Sequence, residues 1–207
     1  NAVDPFSTID EYGSDTLRWY LMTNAQPWDN IKFDIAGVDE VKRKFFGTLY
    51  NTYYFFALYA NIDNFRFTER DILVNQRPEI DRWIISLLNS LVQEVGKCYA
   101  DYDLTRAGRA IQELVTENLS NWYVRLNRKR FWGGEYGHDK LCAYQTLFQC
   151  LETVSRLAAP LAPFYMDQLF RDLNSTTGRH PEDSVHLAVF PEYDPDLIDK
   201  DLEERMD

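Results

Sequence analysis

Residues 103–132 read DLTRAGRAIQELVTENLSNWYVRLNRKRFW. Ala107, Ile111, Leu114, Val115, Leu119, Trp122 and Leu126 recur at steps of three or four, the period of a helix with one buried face. Asp103 stands where a capping side chain is wanted, and the glycines of GGEYG (133–137) end the pattern. A helix this long with a single apolar stripe needs other helices to bury it, so the stretch decides the fold class: all-α, a bundle.

The flanking sequence supplies the partners. Val38, Val41, Phe45, Leu49, Tyr53, Phe56, Ala57 and Ala60 keep the same period over about 37–62. A helix over about 78–100 opens at Pro78, whose fixed φ suits a first turn, and carries Ile80, Ile84, Leu87, Leu88, Leu91, Val95 and Cys98. Two more are predicted at about 139–158 and from Pro163 onward, separated by APLAP. Residues 1–36 hold a short amphipathic helix and read as a linking segment, 37–174 as the bundle, and 175–207 as a small irregular extension. Within that extension SVHLAVF alternates like a short strand and DPDLIDKDLEERM predicts a final acidic helix.

The end of the 103–132 helix gathers four cations and four aromatics into thirteen residues, SNWYVRLNRKRFW, in a chain of formal charge −11. At 100° per residue Asn121, Arg125, Arg128 and Trp132 share one flank, while Trp122 falls on the core stripe. Cations in a last turn suit the helix dipole, but four crowded together repel one another unless an anion accepts them. Phe131 and Trp132, read as exposed, add flat ring surface that a phosphate alone would not need. Unstacked bases beside a phosphate backbone combine both requirements.

Net acidity does not oppose this. Residues 182–207 hold ten acids against Lys200 and Arg205, a local charge of −8, so the other 181 residues carry only −3. Lys42, Arg43 and Lys44 form a second basic cluster, read as a solvated helix face. No apolar run approaches the length needed to cross a bilayer, and no signal peptide is visible. Cys98, Cys142 and Cys150 lie singly in apolar patterns with no zinc spacing, as buried thiols of a reducing, cytoplasmic compartment would. No Ser, His or carboxylate constellation suggests catalysis. The first residue is Asn1 rather than Met, as expected of a piece of a longer polypeptide.

SNWYVRLNRKRFW resembles the anticodon-domain signature of the isoleucyl-tRNA synthetases, a class Ia group. NAVDPFSTIDEYGSDTLRWYLM is similar to the segment after that family's Lys-Met-Ser-Lys-Ser loop, with Tyr12, Gly13, Asp15 and Arg18 matching. FFGTLYNTYYFF, DRWIISLLNSL, LAPLAPFYMDQLF and SVHLAVFP resemble successive elements of its anticodon-binding bundle. The resemblance implies a parent enzyme that joins L-isoleucine to tRNA(Ile) using ATP and magnesium, with zinc, where present, lying elsewhere. The His-Ile-Gly-His element, the Lys-Met-Ser-Lys-Ser loop and the editing insert are not among these residues, so no catalytic or metal residue and no cofactor is assigned to them. The partners implied are the tRNA(Ile) anticodon stem-loop and the catalytic core of the same chain, in a monomer without membrane contact. The tRNA-binding residues implied are Arg82, Trp83, Asn121, Trp122, Tyr123, Arg125, Arg128, Lys129, Arg130 and Trp132. Of these, Arg125, Arg128, Lys129 and Arg130 are expected on phosphates and Trp132 on a splayed base, while Asn121 or Arg125 would reach a base edge. Two alternatives stay open: the anticodon domain of a valine, leucine or methionine enzyme, and a helical protein-interaction bundle.

Overall fold

A computed structural model describes residues 3–206. Helix α1 (Pro5–Tyr12) and α2 (Ser14–Asn24) are separated by Gly13, whose φ of 87° breaks what the sequence joins into one segment. A continuous rod follows: α3 (Ile35–Val41), a π-helical stretch (Lys42–Phe46) and α4 (Gly47–Ile62). Then come α5 (Glu79–Ala100) and a second rod made of α6 (Leu104–Glu113), a π-helical stretch (Leu114–Val124) and α7 (Arg125–Trp132). Helices α8 (His138–Ala158), α9 (Pro163–Thr177) and α10 (Lys200–Met206) complete the chain.

Helix α8 forms the centre of the bundle. Sixteen of its 21 residues are buried, a degree of enclosure that only a helix packed on several sides reaches. Helices α4, α5, α7 and α9 surround it. Several of the polar groups this buries are hydrogen-bonded: Gln145 accepts from the Ile72 N–H at 2.8 Å and donates to Arg70 O at 3.1 Å, and buried Arg77 donates to Thr146 Oγ1 at 3.0 Å. Cys98, Cys142 and Cys150 are buried.

The second N-terminal helix packs against the start of the second rod, the first rod and α9. Trp19 stacks on Phe45 with ring centroids 4.1 Å apart, and Arg109 donates to the last carbonyls of α2 at Thr23 and Asn24. Gly108 permits this approach; a Cβ there would lie 2.5 Å from Thr23 Cγ2. Asp15 accepts from the Tyr165 N–H at 2.7 Å, supplying from α2 the cap that α9 lacks in its own sequence.

The strand expected at SVHLAVF is not formed. Val185–Leu187 is a single 3₁₀ turn, and no strand occurs among the described residues. Alternation alone offers no ladder without a second strand beside it, and the segment is instead fixed end-on. Asp167 accepts from Ser184 Oγ at 2.6 Å and from the Val185 N–H at 2.9 Å. The acidic helix does form, and it folds back. Leu202 is buried, Glu203 accepts from Ser86 and Ser90 of α5 at 2.5 and 2.8 Å, and the Asp199 N–H donates to Ser86 Oγ at 2.7 Å.

Candidate nucleic-acid interface

Seven of the buried positions of the second rod run at steps of four: Ala107, Ile111, Val115, Leu119, Tyr123, Asn127 and Phe131. A plain α-helix turns 100° per residue, so steps of four would drift off the core. The eleven-residue π stretch, with i→i+5 bonding, turns less per residue and holds the four-step series in phase. By residue 122 the lag amounts to one position. Trp122, read from the sequence as core, is 45% exposed, and Leu126 is 57% exposed; Tyr123 and Asn127 take their places inward.

Half of the signature is therefore structural. The Tyr123 hydroxyl donates to Asp81 Oδ1 at 2.7 Å, and burial with that carboxylate pushes its pKa well above the ordinary phenol value. Arg130 grips Asp81 bidentately, at 2.7 and 2.8 Å, and also bonds Asn127 Oδ1 at 3.0 Å and Asp139 Oδ2 at 3.0 Å. Burial alone opposes its charge. Its bonds to Asp81 and Asp139 outweigh that and hold the guanidinium more firmly charged than usual. Phe131, expected outside, is buried with its ring centroid 5.1 Å from Phe55 and 5.2 Å from Tyr144. Trp83 is 1% exposed. Of the ten residues the resemblance implies, Tyr123, Trp83 and Arg130 thus face inward. The carboxylates of Asp81 and Asp139 already satisfy Arg130, which corrects its assignment to a phosphate.

The other half faces solvent. Arg125, Arg128 and Lys129 are exposed and make no ion pair among the described residues. Asn121, also exposed, donates to Glu117 at 3.0 Å. Two half-exposed indoles border this ridge on different flanks: Trp132 lies against Tyr59 of α4 (centroids 6.5 Å), Trp122 against Trp83 of α5 (6.4 Å). Arg82 is partly exposed, and its Nε is buried without a partner. By contrast the Lys42–Lys44 cluster is already paired. Arg43 reaches Asp39 at 2.6 Å, Lys44 reaches Glu40 at 2.5 Å, and Lys42 donates to Glu11 O at 2.7 Å. The surface thus offers three uncommitted cations between two flat apolar faces, a combination suited to a phosphate backbone with unstacked bases.

Residues 81–207 match the family described as the anticodon-binding domain of tRNA ligase. The chain belongs to that family. It is 65% identical over 206 residues to the isoleucine–tRNA ligase of Bacteroides fragilis, an alignment covering all of this chain and 18% of that protein. With the isoleucine–tRNA ligase of Clostridium acetobutylicum the identity is 44% over 206 residues, all of this chain and 20% of the relative. The chain therefore spans about a fifth of the length of the curated relatives it matches. Among solved structures, the LeuRS of Agrobacterium radiobacter K84, in a ternary complex with tRNA and LeuAMS, shares the fold. Its TM-score is 0.68 at 18% identity, over 96% of this chain and 22% of that one. In this anticodon-binding domain the residues that sequence reasoning passed over are Asp81, Asn127 and Asp139. The signal that could have found them is the four-step series, which places Tyr123 and Asn127 inward with no apolar partner for their polar atoms.

Proposed function

We infer that this chain recognises the anticodon stem-loop of tRNA(Ile) within an isoleucine–tRNA ligase. The complete enzyme joins L-isoleucine to that tRNA using ATP and magnesium at a catalytic core outside these residues, and works as a monomer. The observation that carries the reading is the ridge of Arg125, Arg128 and Lys129, three cations without carboxylate partners among the described residues, in a chain of net charge −11. The signature's fourth cation, Arg130, is tied inward by Asp81 and Asp139, which leaves these three as the ones available to an external anion. Trp132, 55% exposed at the end of the same helix, gives a base a face to stack on. Phosphate contacts fix the position of the loop, and Asn121 and Arg125 are the side chains proposed to read a base edge.

The test is the salt dependence of binding between this chain and the isoleucine anticodon stem-loop. Each phosphate contacted on a single strand contributes about −0.7 to the slope of log K against log salt, so three contacts predict about −2. Replacing Arg125 and Arg128 together with Ala should weaken that slope by about 1.4 and lower affinity for the stem-loop. An unchanged slope in the double variant would remove the phosphate role. Failure of the unaltered chain to bind at low salt would favour a protein-interaction bundle instead.

A further inference from the structure

The two indoles beside the ridge are not equivalent. Trp132 packs on Tyr59, whereas Trp122 packs on Trp83, a side chain 1% exposed whose indole Nε1–H has no acceptor among the described residues. Buried N–H groups without partners are rare in folded proteins, and each asks for an explanation. Next to it in sequence, Arg82 carries a second buried and unpartnered donor at Nε. Arg125, on the ridge beside Trp122, is free of ion pairs among the described residues. What gathers here is one-sided: two buried donors without acceptors among the described residues, one on the indole in ring contact with Trp122 and one on its sequence neighbour. The π stretch is the reason Trp122 is there at all, since a regular helix would have buried it.

We propose that Trp122, Trp83, Arg82 and Arg125 form a second nucleotide site, on the α5 flank of the ridge and distinct from Trp132, that takes one unpaired base of the RNA. The inference rests on the anticodon reading and deepens it. Trp122 is the movable member. Turning about its own side-chain bonds, it stacks on the base and uncovers the Trp83 Nε1–H, which donates to a carbonyl oxygen or ring nitrogen on the base edge. Arg82 and Arg125 meet the flanking phosphate. Ten residues of helix, about 15 Å at 1.5 Å per residue, separate Trp122 from Trp132. The bound strand therefore passes over the cationic ridge with one base on each side of it, and the site selects for a base that offers an acceptor where Trp83 points.

The experiment uses the anticodon stem-loop carrying 2-aminopurine at each loop position in turn, with the unaltered chain and its Trp122→Ala, Trp122→Phe and Trp132→Ala variants. At one loop position quenching should vanish in Trp122→Ala, persist in part in Trp122→Phe and persist fully in Trp132→Ala, with affinity falling about tenfold for Trp122→Ala. The chain labelled with ¹⁵N at tryptophan gives a readout that needs no substitution. The Trp83 indole N–H should shift on saturation with RNA, while that of Trp19, already bonded to Gln112, should stay. Loss of affinity in Trp122→Ala with no change in quenching at any position, or a Trp83 signal unmoved at saturation, overturns the second site while leaving the ridge in place. Absence of RNA binding by the unaltered chain removes both.

Discussion

Within residues 121–132 two faces of one helix end treat the same residue types in opposite ways. Inward, Arg130 is held by two carboxylates, Tyr123 donates to one of them, and Phe131 fills a gap between rings from α4 and α8. Outward, Arg125 and Arg128 have no ionic partner among the described residues, and Trp122 and Trp132 leave about half their surface uncovered. Composition alone cannot tell an arginine that builds the fold from one that is available to a ligand. Orientation decides it, and orientation depends on the pitch of the preceding eleven residues.

The largest effect that separates the two faces should come from Arg130→Ala. Asp81, fully buried, would lose its charge partner, and breaking such a pair typically costs about 3–5 kcal/mol. Urea denaturation measures this; a loss under about 1 kcal/mol would mean that the inward network is not structural. Tyr123→Phe is a gentler version, expected to lose about 1 kcal/mol because Asp81 keeps its bidentate arginine. It also carries a pH signature. The folded-state pKa of Tyr123 is raised, so its contribution is fully present below the unfolded phenol value near 10 and declines as pH rises through and beyond that value. Stability of the unaltered chain should thus fall more steeply with alkaline pH than that of Tyr123→Phe, and parallel profiles would contradict the buried hydrogen bond. The smallest effect belongs to the outward face. Arg128→Ala should shift unfolding by no more than about 0.5 kcal/mol, since it removes no buried contact. A larger destabilisation would show that the ridge is part of the fold and sharpen the comparison against its proposed availability.

How much could be read in advance differs along the chain. The α5 and α8 stripes, including Leu88, Leu91, Val95, Leu147, Leu151 and Val154, are buried where their period places them. Those helices are regular, so sequence spacing converts directly into direction. Ala107 through Leu119 are likewise placed correctly, and the reading fails at Trp122, Leu126 and Phe131, just where the π stretch has accumulated its lag. SVHLAVF fails for a different reason: its alternation is real, but a strand requires a neighbouring strand, and none occurs among the described residues. The acidic tail, predicted as a helix by its pattern, gave no hint that Glu203 would dock on Ser86 and Ser90, because neither serine lies in an apolar stripe.

By itself the sequence determined that the chain is a helical bundle, where each long helix begins and ends, and that guanidinium and indole groups crowd one helix terminus. Periodicity and capping are local, and they survive without knowledge of any neighbour. Which of those groups turn toward Asp81 and which toward solvent was settled only in three dimensions. A smaller turn per residue, summed over a π-helical stretch and locked by a carboxylate forty-nine residues away, decides it.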